Sequence, residues 1–501
     1  MASRLLHQSI VIPIRPPHRL TTQDASFLYG ESRTAPLHFG GFATFAGAID
    51  YRRLLEHMEA RLPLVPRFRE RLVLAPFNLA HPAMEPDPDF KLTNHVQLHE
   101  LPLDSNDDAV MQAVMRVFEP ALSRQRPLWE LHLFRGLSGR RSALLWKIHH
   151  AIVDGVSWVQ VLNAILACTA DEPAPIVDGK ASKPPVYAAP LAQAALDLTE
   201  MRLDAARRIV TGLPDATQAI DSAMSTLRSM IRPTIAAPWN RSFVSEKRML
   251  ARMRYRLEDV RTIRRAFGAT LNDLAVAILA EGAARYLRHH GIDAGGRSMR
   301  IGCPVSVRSL SEMSKLGNRV SMMVVETAAQ PGDPIERLRA VAAETSRIKA
   351  SHESEALDVL AAAADFIPPR LMALASPLGT GLIDAASGLS ARAPAIARRL
   401  AATIPLPINF IATNVHGPTG PRYVAGHEML DYAGMIPLGG NLGYGAVICT
   451  YNHQLSLGLM AEPRLMPDVE LMKSCVGEAF DELMHAAEEA RPHPLEHPQA
   501  A

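Results

Sequence analysis

The chain has 501 residues, of which 48% are hydrophobic and 21% charged, a balance that is ordinary for globular proteins and sufficient for a large core. Its 53 basic and 51 acidic side chains give a net charge of +2, so charge does not favour a nucleic-acid partner. A chain of this length is expected to form two or three domains.

Hydrophobic periodicity in the first half predicts alternating helices and strands. The predicted helices cover 54–62, 107–118 and 156–167, and the predicted strands cover 96–98, 129–134 and 143–149. The last two strands are expected to form a pair joined by a turn at Ser138-Gly139.

The alternation resumes in the second half after a proline-rich crossover. The predicted strands are 249–257, 298–307 and 319–326, the predicted helices are 270–288, 333–350 and 467–489, and between them lie alanine-rich helices at 355–402 and a strand-rich block at 407–461. Two α/β halves are the simplest architecture. The predicted domains are a flexible extension at 1–19, an N-terminal domain at 20–175, a crossover and helical linker at 176–247, a C-terminal domain at 248–490 and a disordered tail at 491–501.

An amphipathic helical pattern covers 191–232, where arginines alternate with aliphatic residues. Its simplest interpretation is a solvated helix face above a core. Contact with anionic lipid or with a nucleotide is the alternative.

The cysteine spacing, the N-terminal sequence and the lack of a predicted membrane helix favour a cytoplasmic protein, either free or attached peripherally to a membrane. The four cysteines lie far apart without a CxxC motif, which favours buried thiols in a reducing compartment. They are Cys168, Cys303, Cys449 and Cys475. Charged residues and prolines interrupt the N-terminus, so no signal peptide is predicted. The stretch 432–461 contains no Asp, Glu, Lys or Arg, but its frequent glycines and asparagines predict strands and turns instead of a membrane helix.

The most informative motif follows the strand predicted at 143–149 and reads His149-His150-Ala151-Ile152-Val153-Asp154-Gly155. Adjacent side chains on a strand point to opposite faces, so one histidine should reach a reaction space while the other packs structurally. A histidine can take and return a proton near neutral pH. Asp154 could orient an imidazole or pair with an arginine, and Gly155 permits a positive φ or a close approach by another segment.

Three simpler explanations remain open for this motif. They are a chance match, expected about once in several hundred such chains, a metal site, and an Asp-Gly turn beside two core histidines. The pair His289-His290 serves as an internal comparison, because it lies at a predicted helix end before Gly291 and reads as a C-terminal cap. The sequence has neither a GxSxG elbow nor a glycine-rich phosphate loop. A base without a protein nucleophile favours direct acyl transfer to an acceptor hydroxyl or amine.

The motif resembles the HHxxxDG signature of CoA-dependent acyltransferases, which include chloramphenicol acetyltransferase, carnitine acyltransferases and condensation domains. Further segments are similar to the bacterial wax ester synthase/diacylglycerol acyltransferase (WS/DGAT) family, and the similarity runs from about residue 20 to 475. These segments are 24–31, 36–40, 126–130, 271–273, 304–308, 317–321, 413–418 and 450–451.

The resemblance implies an α/β fold of two chloramphenicol-acetyltransferase-like domains with an active-site tunnel between them. It implies that His150 is the proton acceptor, with His149 in support. Asp154 would be structural and commonly paired with an arginine, for which Arg308 is the candidate. Two further residues, Asn272 and Glu31, match positions near the family's reaction centre and are candidates for binding substrate or the oxyanion.

The implied reaction is acyl-CoA-dependent esterification of diacylglycerol or a long-chain alcohol, giving triacylglycerol or wax ester. Acyl-CoA is a substrate, and neither a cofactor nor a metal is expected. The expected site of action is the cytoplasm, with peripheral attachment to a membrane or lipid inclusion as an option. The alternatives are a condensation-type acyltransferase acting on other alcohols or amines and a catalytically silent lipid-binding homologue. The family pattern is broken at Lys91, at Asn452-His453 and at Glu462, and these departures bear on acceptor choice.

Overall fold

The computed structural model of the protein describes residues 19–175, 190–211, 234–241, 245–306, 320–350, 365–366, 369 and 408–490. Several predictions fall outside this part of the chain: the extension before residue 19, the tail at 491–501, most of the crossover at 176–247, nearly all of the helices at 355–402, and Arg308.

The described helices and strands alternate along the chain. The helices are α1 (Thr22–Gly30), α2 (Tyr51–Arg61), α3 (Asp107–Phe118), α4 (Gly155–Ile165), α5 (Pro190–Thr211), α6 (Leu257–Phe267), α7 (Leu271–His289), α8 (Pro334–Ala350) and α9 (Val469–Glu489). The strands are β1 (His38–Phe45), β2 (Glu70–Val73), β3 (Ala83–Pro86), β4 (Val96–Ser105), β5 (Trp129–Leu137), β6 (Arg141–His149), β7 (Met249–Arg256), β8 (Ser298–Ser306), β9 (Val320–Ala328), β10 (Phe410–His416), β11 (Tyr423–Val424), β12 (His427–Met435), β13 (Tyr444–Tyr451) and β14 (Gln454–Ala461).

Two six-stranded sheets organise these elements, and β2 and β3 form a separate hairpin. The first sheet has the order β11-β12-β1-β6-β5-β4, and the second has the order β7-β14-β13-β10-β8-β9. Because β11 and β12 come from the second half of the chain, that half completes the first sheet. In the second sheet, β10 runs parallel to both β8 and β13.

Two glycines let the sheets approach each other where β12 crosses the second sheet. A Cβ on Gly434 would lie 2.4 Å from Val447 Cγ1, and a Cβ on Gly458 would lie 2.3 Å from the Gly434 carbonyl oxygen. A larger side chain at either position would force the backbones apart.

Each sheet has its own core, and helix α7 lies at the centre of the second one. The helix begins with a reciprocal cap, in which Thr270 Oγ1 accepts from the Asp273 amide at 3.2 Å and Asp273 Oδ2 accepts from the Thr270 amide at 2.9 Å. From Asp273 to Leu287 it is buried on every side, which explains why the sequence reads as uniformly apolar there.

Most of the predicted elements within the described residues are confirmed. Helix α3 has the predicted bounds, and the stretch 432–461 forms strands and turns as expected. The pair His289-His290 is confirmed as the end of helix α7. Gly291 follows it with a φ of +66°, and His290 Nε2 lies 2.9 Å from Asp468 Oδ2. The sequence patterns did not predict α1, β1, the β2–β3 hairpin or α6.

One cysteine prediction was wrong. Cys303, Cys449 and Cys475 are buried, but Cys168 is exposed because it follows α4 in a surface turn. Among the described residues, no single helix is long and apolar enough to cross a membrane. The pair α6 and α7 meets that test only together, with a bend of 94° between the two helices.

Candidate active site

The two histidines of the motif leave the end of β6 in different directions. His149 is the last residue of β6 and is fully buried, whereas His150 begins the following turn and is partly exposed. Their amides are both fixed, since His149 N donates to Leu128 O and His150 N donates to Leu37 O, each at 3.0 Å. The expected divergence of the two side chains is therefore observed.

The His149 ring is held by hydrogen bonding on one side and by charge on the other. Its Nδ1 lies 3.1 Å from the Ala151 amide, and its Nε2 lies 3.4 Å from Glu31 Oε1. A backbone N–H can only donate, so Nδ1 accepts and the ring proton lies on Nε2, facing the carboxylate.

Glu31 joins three elements behind the histidines. Its Oε1 accepts from the Leu37 amide at 3.0 Å, and its Oε2 accepts from Arg124 at 2.8 Å. Burial alone would raise the pKa of this carboxyl, but His149, Arg124 and the Leu37 amide together lower it to about 2. Because its pKa is lowered, Glu31 is ionised near neutral pH. Its side chain is only 7% exposed and is fixed beside the motif.

An aromatic wall surrounds the His150 ring. Phe27 of α1 stacks on it with a centroid separation of 4.1 Å and an interplanar angle of 9°, and Phe39 of β1 contacts it edge-on at 5.4 Å. Phe39 also meets Trp158 of α4, whose Nε1 donates to Tyr432 Oη of β12 at 2.6 Å. The partly exposed imidazole of His150 thus lies in an apolar setting built from both halves of the chain.

Asp154 and Gly155 form the start of α4. The fully buried Asp154 side chain is the N-cap and accepts from the Ser157 amide at 2.7 Å, which anchors the turn after the histidines. Gly155 does not have a positive φ, and a Cβ there would lie 3.5 Å from Val415 Cγ2 of β10, which is an ordinary van der Waals contact. Neither of the two roles considered for this glycine is therefore observed.

The structure describes two of the three weaker candidates, and Glu31 is the one seen to lie against His149. Asn272 is the second residue of α7 and lines a cleft of about 510 Å³, whose described lining residues do not include His149 or His150. Arg308, the candidate partner of Asp154, lies outside the described residues. Within the described ranges, no group of three or more His, Cys, Asp or Glu side chains could hold a metal ion.

A buried lysine shares one face of β6 with His149. Lys147 is 2% exposed, donates to Val117 O at 3.1 Å and to Pro120 O, and lies 3.8 Å from Glu130 Oε2. Burial lowers the pKa of Lys147 to about 8, against the opposing effect of the neighbouring carboxylates. The sequence motifs predicted no role for this lysine or for the aromatic wall. The alternation of side chains along β6 predicts that Lys147 lies on the same face as His149. No local sequence pattern predicts the aromatic contacts.

Family models match most of the chain. The model for the wax ester synthase/diacylglycerol acyltransferase catalytic domain matches residues 20–275, and that for the WS/DGAT C-terminal domain matches residues 316–484. The chain belongs to the WS/DGAT family. It is therefore an acyltransferase, and the resemblance stated from the sequence motifs is confirmed.

Relatives of this WS/DGAT protein are similar over nearly their whole length. A Mycobacterium tuberculosis protein named "Probable diacylglycerol O-acyltransferase tgs1" is 29% identical over 93% of this chain and 96% of its own. Another from that organism, "Probable diacylglycerol O-acyltransferase tgs2", is 28% identical over 85% of this chain and 92% of its own.

Solved structures confirm the two-domain fold. The wax ester synthase/diacylglycerol acyltransferase from Marinobacter aquaeolei superposes with a TM-score of 0.62 at 21% identity, covering 94% of this WS/DGAT chain and all of that one. The first condensation domain of the calcium-dependent antibiotic synthetase gives a TM-score of 0.60 at 14% identity over 95% and 97% of the two chains. At these identities the likeness concerns the fold.

Proposed function

We propose that this protein transfers a fatty acyl group from acyl-CoA to the hydroxyl of diacylglycerol or a long-chain alcohol, with His150 as the general base. The observation that carries the proposal is the arrangement of the two histidines. His150 is partly exposed within an aromatic wall, while His149 is fixed behind it by Glu31 and the Ala151 amide. The substrates in the names of the mycobacterial relatives agree with it.

The proposed reaction is a single transfer. The His150 imidazole takes the proton from the acceptor hydroxyl as its oxygen attacks the thioester carbonyl. The carbon–sulfur bond then breaks, and the CoA thiolate takes the proton back from the imidazolium. Donors for the oxyanion remain a proposal, with Asn272 and the backbone N–H groups at the start of α4 as candidates. Asp154 anchors the turn, and its pairing with Arg308 also remains a proposal.

The proposed reaction is tested by following free thiol with palmitoyl-CoA in the presence of hexadecanol or dioleoylglycerol. We expect thiol release to require an acceptor and to match the ester formed. Acceptor-independent release would indicate a thioesterase, and transfer to amines alone would indicate a condensation-type enzyme. Absence of any turnover would favour a silent lipid-binding protein.

We further propose that the enzyme acts while attached peripherally to a lipid surface. Three large apolar side chains are exposed in the loop between β2 and β3, since Leu74, Phe77 and Leu79 are 68%, 80% and 47% exposed. Phe77 adopts a left-handed φ of 54° near the middle of this loop. Contiguous exposed apolar side chains are typical of membrane or protein contact sites, and the proposed acceptors are themselves lipids.

The position of this apolar loop supports the lipid proposal. Tyr29 Oη of α1 lies 3.0 Å from Nδ1 of His81 in this loop, and Phe27 of the same helix stacks on His150. The loop is therefore linked through α1 to the end of the first sheet that carries the histidines. Leu103 is 90% exposed but lies near the opposite end, close to where Ser105 pairs with Leu137.

Replacing Leu74, Phe77 and Leu79 together with serine is expected to lower binding to phospholipid vesicles at least about tenfold, because each large apolar side chain gains roughly 1.5–3 kcal/mol on full burial. Vesicle co-sedimentation measures this binding. The control is Leu103→Ser, which removes a leucine that is 90% exposed away from this loop and should leave vesicle binding unchanged. Equal binding by the triple variant and the unmodified protein would show that this loop is not the attachment site.

A further inference from the structure

A second feature of the structure is a basic cleft in the C-terminal half, defined by Arg261, Arg264, Lys349, Asn414 and His416. The cleft has a volume of about 510 Å³ and lies beside α6, at the start of α7 and at the ends of the parallel strands β10 and β13. A neighbouring cleft of about 570 Å³ shares Arg261 with it. Ligands of α/β sheets bind beyond the carboxyl ends of parallel strands, and helix N-termini favour anions there.

The charges in the basic cleft are of one sign. Arg261, Arg264 and Lys349 all line it, and none of the described lining residues is an aspartate or glutamate. Arg264 Nε donates to Ala269 O at 3.2 Å. Within the described part of the chain, none of these three cations forms an ion pair with a carboxylate. Three cations in one concave site, with Glu258 lining only the neighbouring cleft, favour a ligand with several negative charges.

An amide in the same cleft has unused hydrogen-bonding capacity. Asn414 Oδ1 is buried and has no hydrogen-bond partner among the described residues. A buried amide oxygen without a partner is uncommon in folded proteins and is often explained by a missing ligand or water. Because an amide oxygen only accepts hydrogen bonds, it would pair with an N–H or O–H group of a ligand and not with its phosphate oxygens.

The basic cleft and the histidine motif lie on opposite faces of one strand. Asn414 and His416 of β10 line the cleft, whereas Val415 between them packs into the first core and lies against Gly155. Successive side chains of a strand point to opposite faces. The cleft is therefore separated from the start of α4 by the thickness of β10 and opens where β10 ends.

We infer that the basic cleft binds the phosphate groups of the CoA nucleotide during the acyl transfer proposed above. CoA carries a diphosphate and a 3′-phosphate joined to its thiol by a long flexible arm. Phosphates in the cleft would leave the arm to pass around the end of β10 towards His150. Arginine can bind phosphate through two parallel N–H bonds and lysine as a point charge. This inference depends on the proposed function for the identity of the ligand.

The test compares two acyl donors on a variant carrying Arg261→Ser, Arg264→Ser and Lys349→Ser. One donor is palmitoyl-CoA, and the other is the palmitoyl thioester of N-acetylcysteamine, which carries no phosphate. We expect the ratio of the two kcat/KM values, CoA thioester over N-acetylcysteamine thioester, to fall at least about tenfold, because only the CoA thioester can use the cations. A control with Arg52→Ser, Arg53→Ser and Lys473→Ser removes the same number of positive charges from positions outside the cleft and should leave this ratio unchanged.

An unchanged donor ratio would overturn the inference, whether the two kcat/KM values stay the same or fall equally. If binding to anionic vesicles were lost while the ratio stayed unchanged, the cations would be assigned to lipid headgroups. If the unmodified protein used neither donor, the proposed function would fail instead. Calorimetric binding of free CoA would then decide the inference, which requires binding by the unmodified protein and weaker binding by the cleft variant.

Discussion

Replacement of His150 with alanine is expected to lower the rate of acyl transfer by roughly 10²–10⁴-fold, the usual contribution of a general base. The fold should survive, because His150 lies in a turn and is partly exposed, where its ring contacts those of Phe27 and Phe39. The measurement is the initial rate of ester formation from palmitoyl-CoA, with circular dichroism as a check on folding.

Two histidine controls separate this role from a general effect of losing an imidazole. His485→Ala removes a ring that is 76% exposed on α9 and should leave turnover unchanged. His149→Ala should reduce turnover less than His150→Ala but reduce stability more, because it empties a fully buried site and removes a partner of Glu31. Near-normal turnover by the His150→Ala variant would remove His150 from the mechanism.

Substitution of Glu31 by glutamine is expected to destabilise the protein by about 3 kcal/mol at pH 7. This magnitude follows from the lowering of the Glu31 pKa from 4.5 to about 2 in the folded state. The glutamine would lose the charge that faces Arg124 and the Nε2 proton of His149. Urea unfolding followed by tryptophan fluorescence measures the difference in stability.

The difference in stability between the unmodified protein and Glu31→Gln should also depend on pH. Because folding lowers the pKa of the Glu31 carboxyl, its contribution is fully present above pH 4.5 and is lost as the pH falls from 4.5 towards 2. The stability difference between the unmodified protein and Glu31→Gln should therefore shrink to less than half by about pH 3. The matched control is Glu59→Gln, whose side chain is 59% exposed and pairs with Arg69. This control should change stability by no more than about 0.5 kcal/mol. A difference for Glu31→Gln that is absent at pH 7, or that does not vary with pH, would contradict the assigned charge state.

The sequence was informative where structure is set by local periodicity. Helix α3 was predicted with its observed bounds because Asn106 caps it, two aspartates occupy its first turn and its buried residues recur at helical spacing. The end of β6 and the divergence of His149 and His150 followed from strand alternation alone. The start of α4 at Asp154 and Gly155 was also expected to within a residue.

Long-range contacts in the site could not be predicted in this way. Trp158 and Tyr432, which meet in the aromatic wall, are 274 positions apart. Phe27 was noticed only as part of a family-like segment, and its stacking on His150 depends on how α1 packs against the end of β6. Glu31 entered as a candidate through the resemblance alone, because its link to His149 exists only in three dimensions. Helix α6 was missed because it follows β7 without a connecting loop, and it contributes two arginines to the basic cleft.

The central claim, direct transfer from acyl-CoA to an acceptor hydroxyl at His150, is tested most directly by rapid-mixing measurement of CoA release. The enzyme is mixed with palmitoyl-CoA first without an acceptor and then with hexadecanol or dioleoylglycerol. We expect no burst of free CoA without acceptor, and with acceptor one CoA for each ester formed at a rate that His150→Ala reduces by at least about 10²-fold. A stoichiometric burst in the absence of acceptor would reveal an acyl-enzyme and contradict direct transfer.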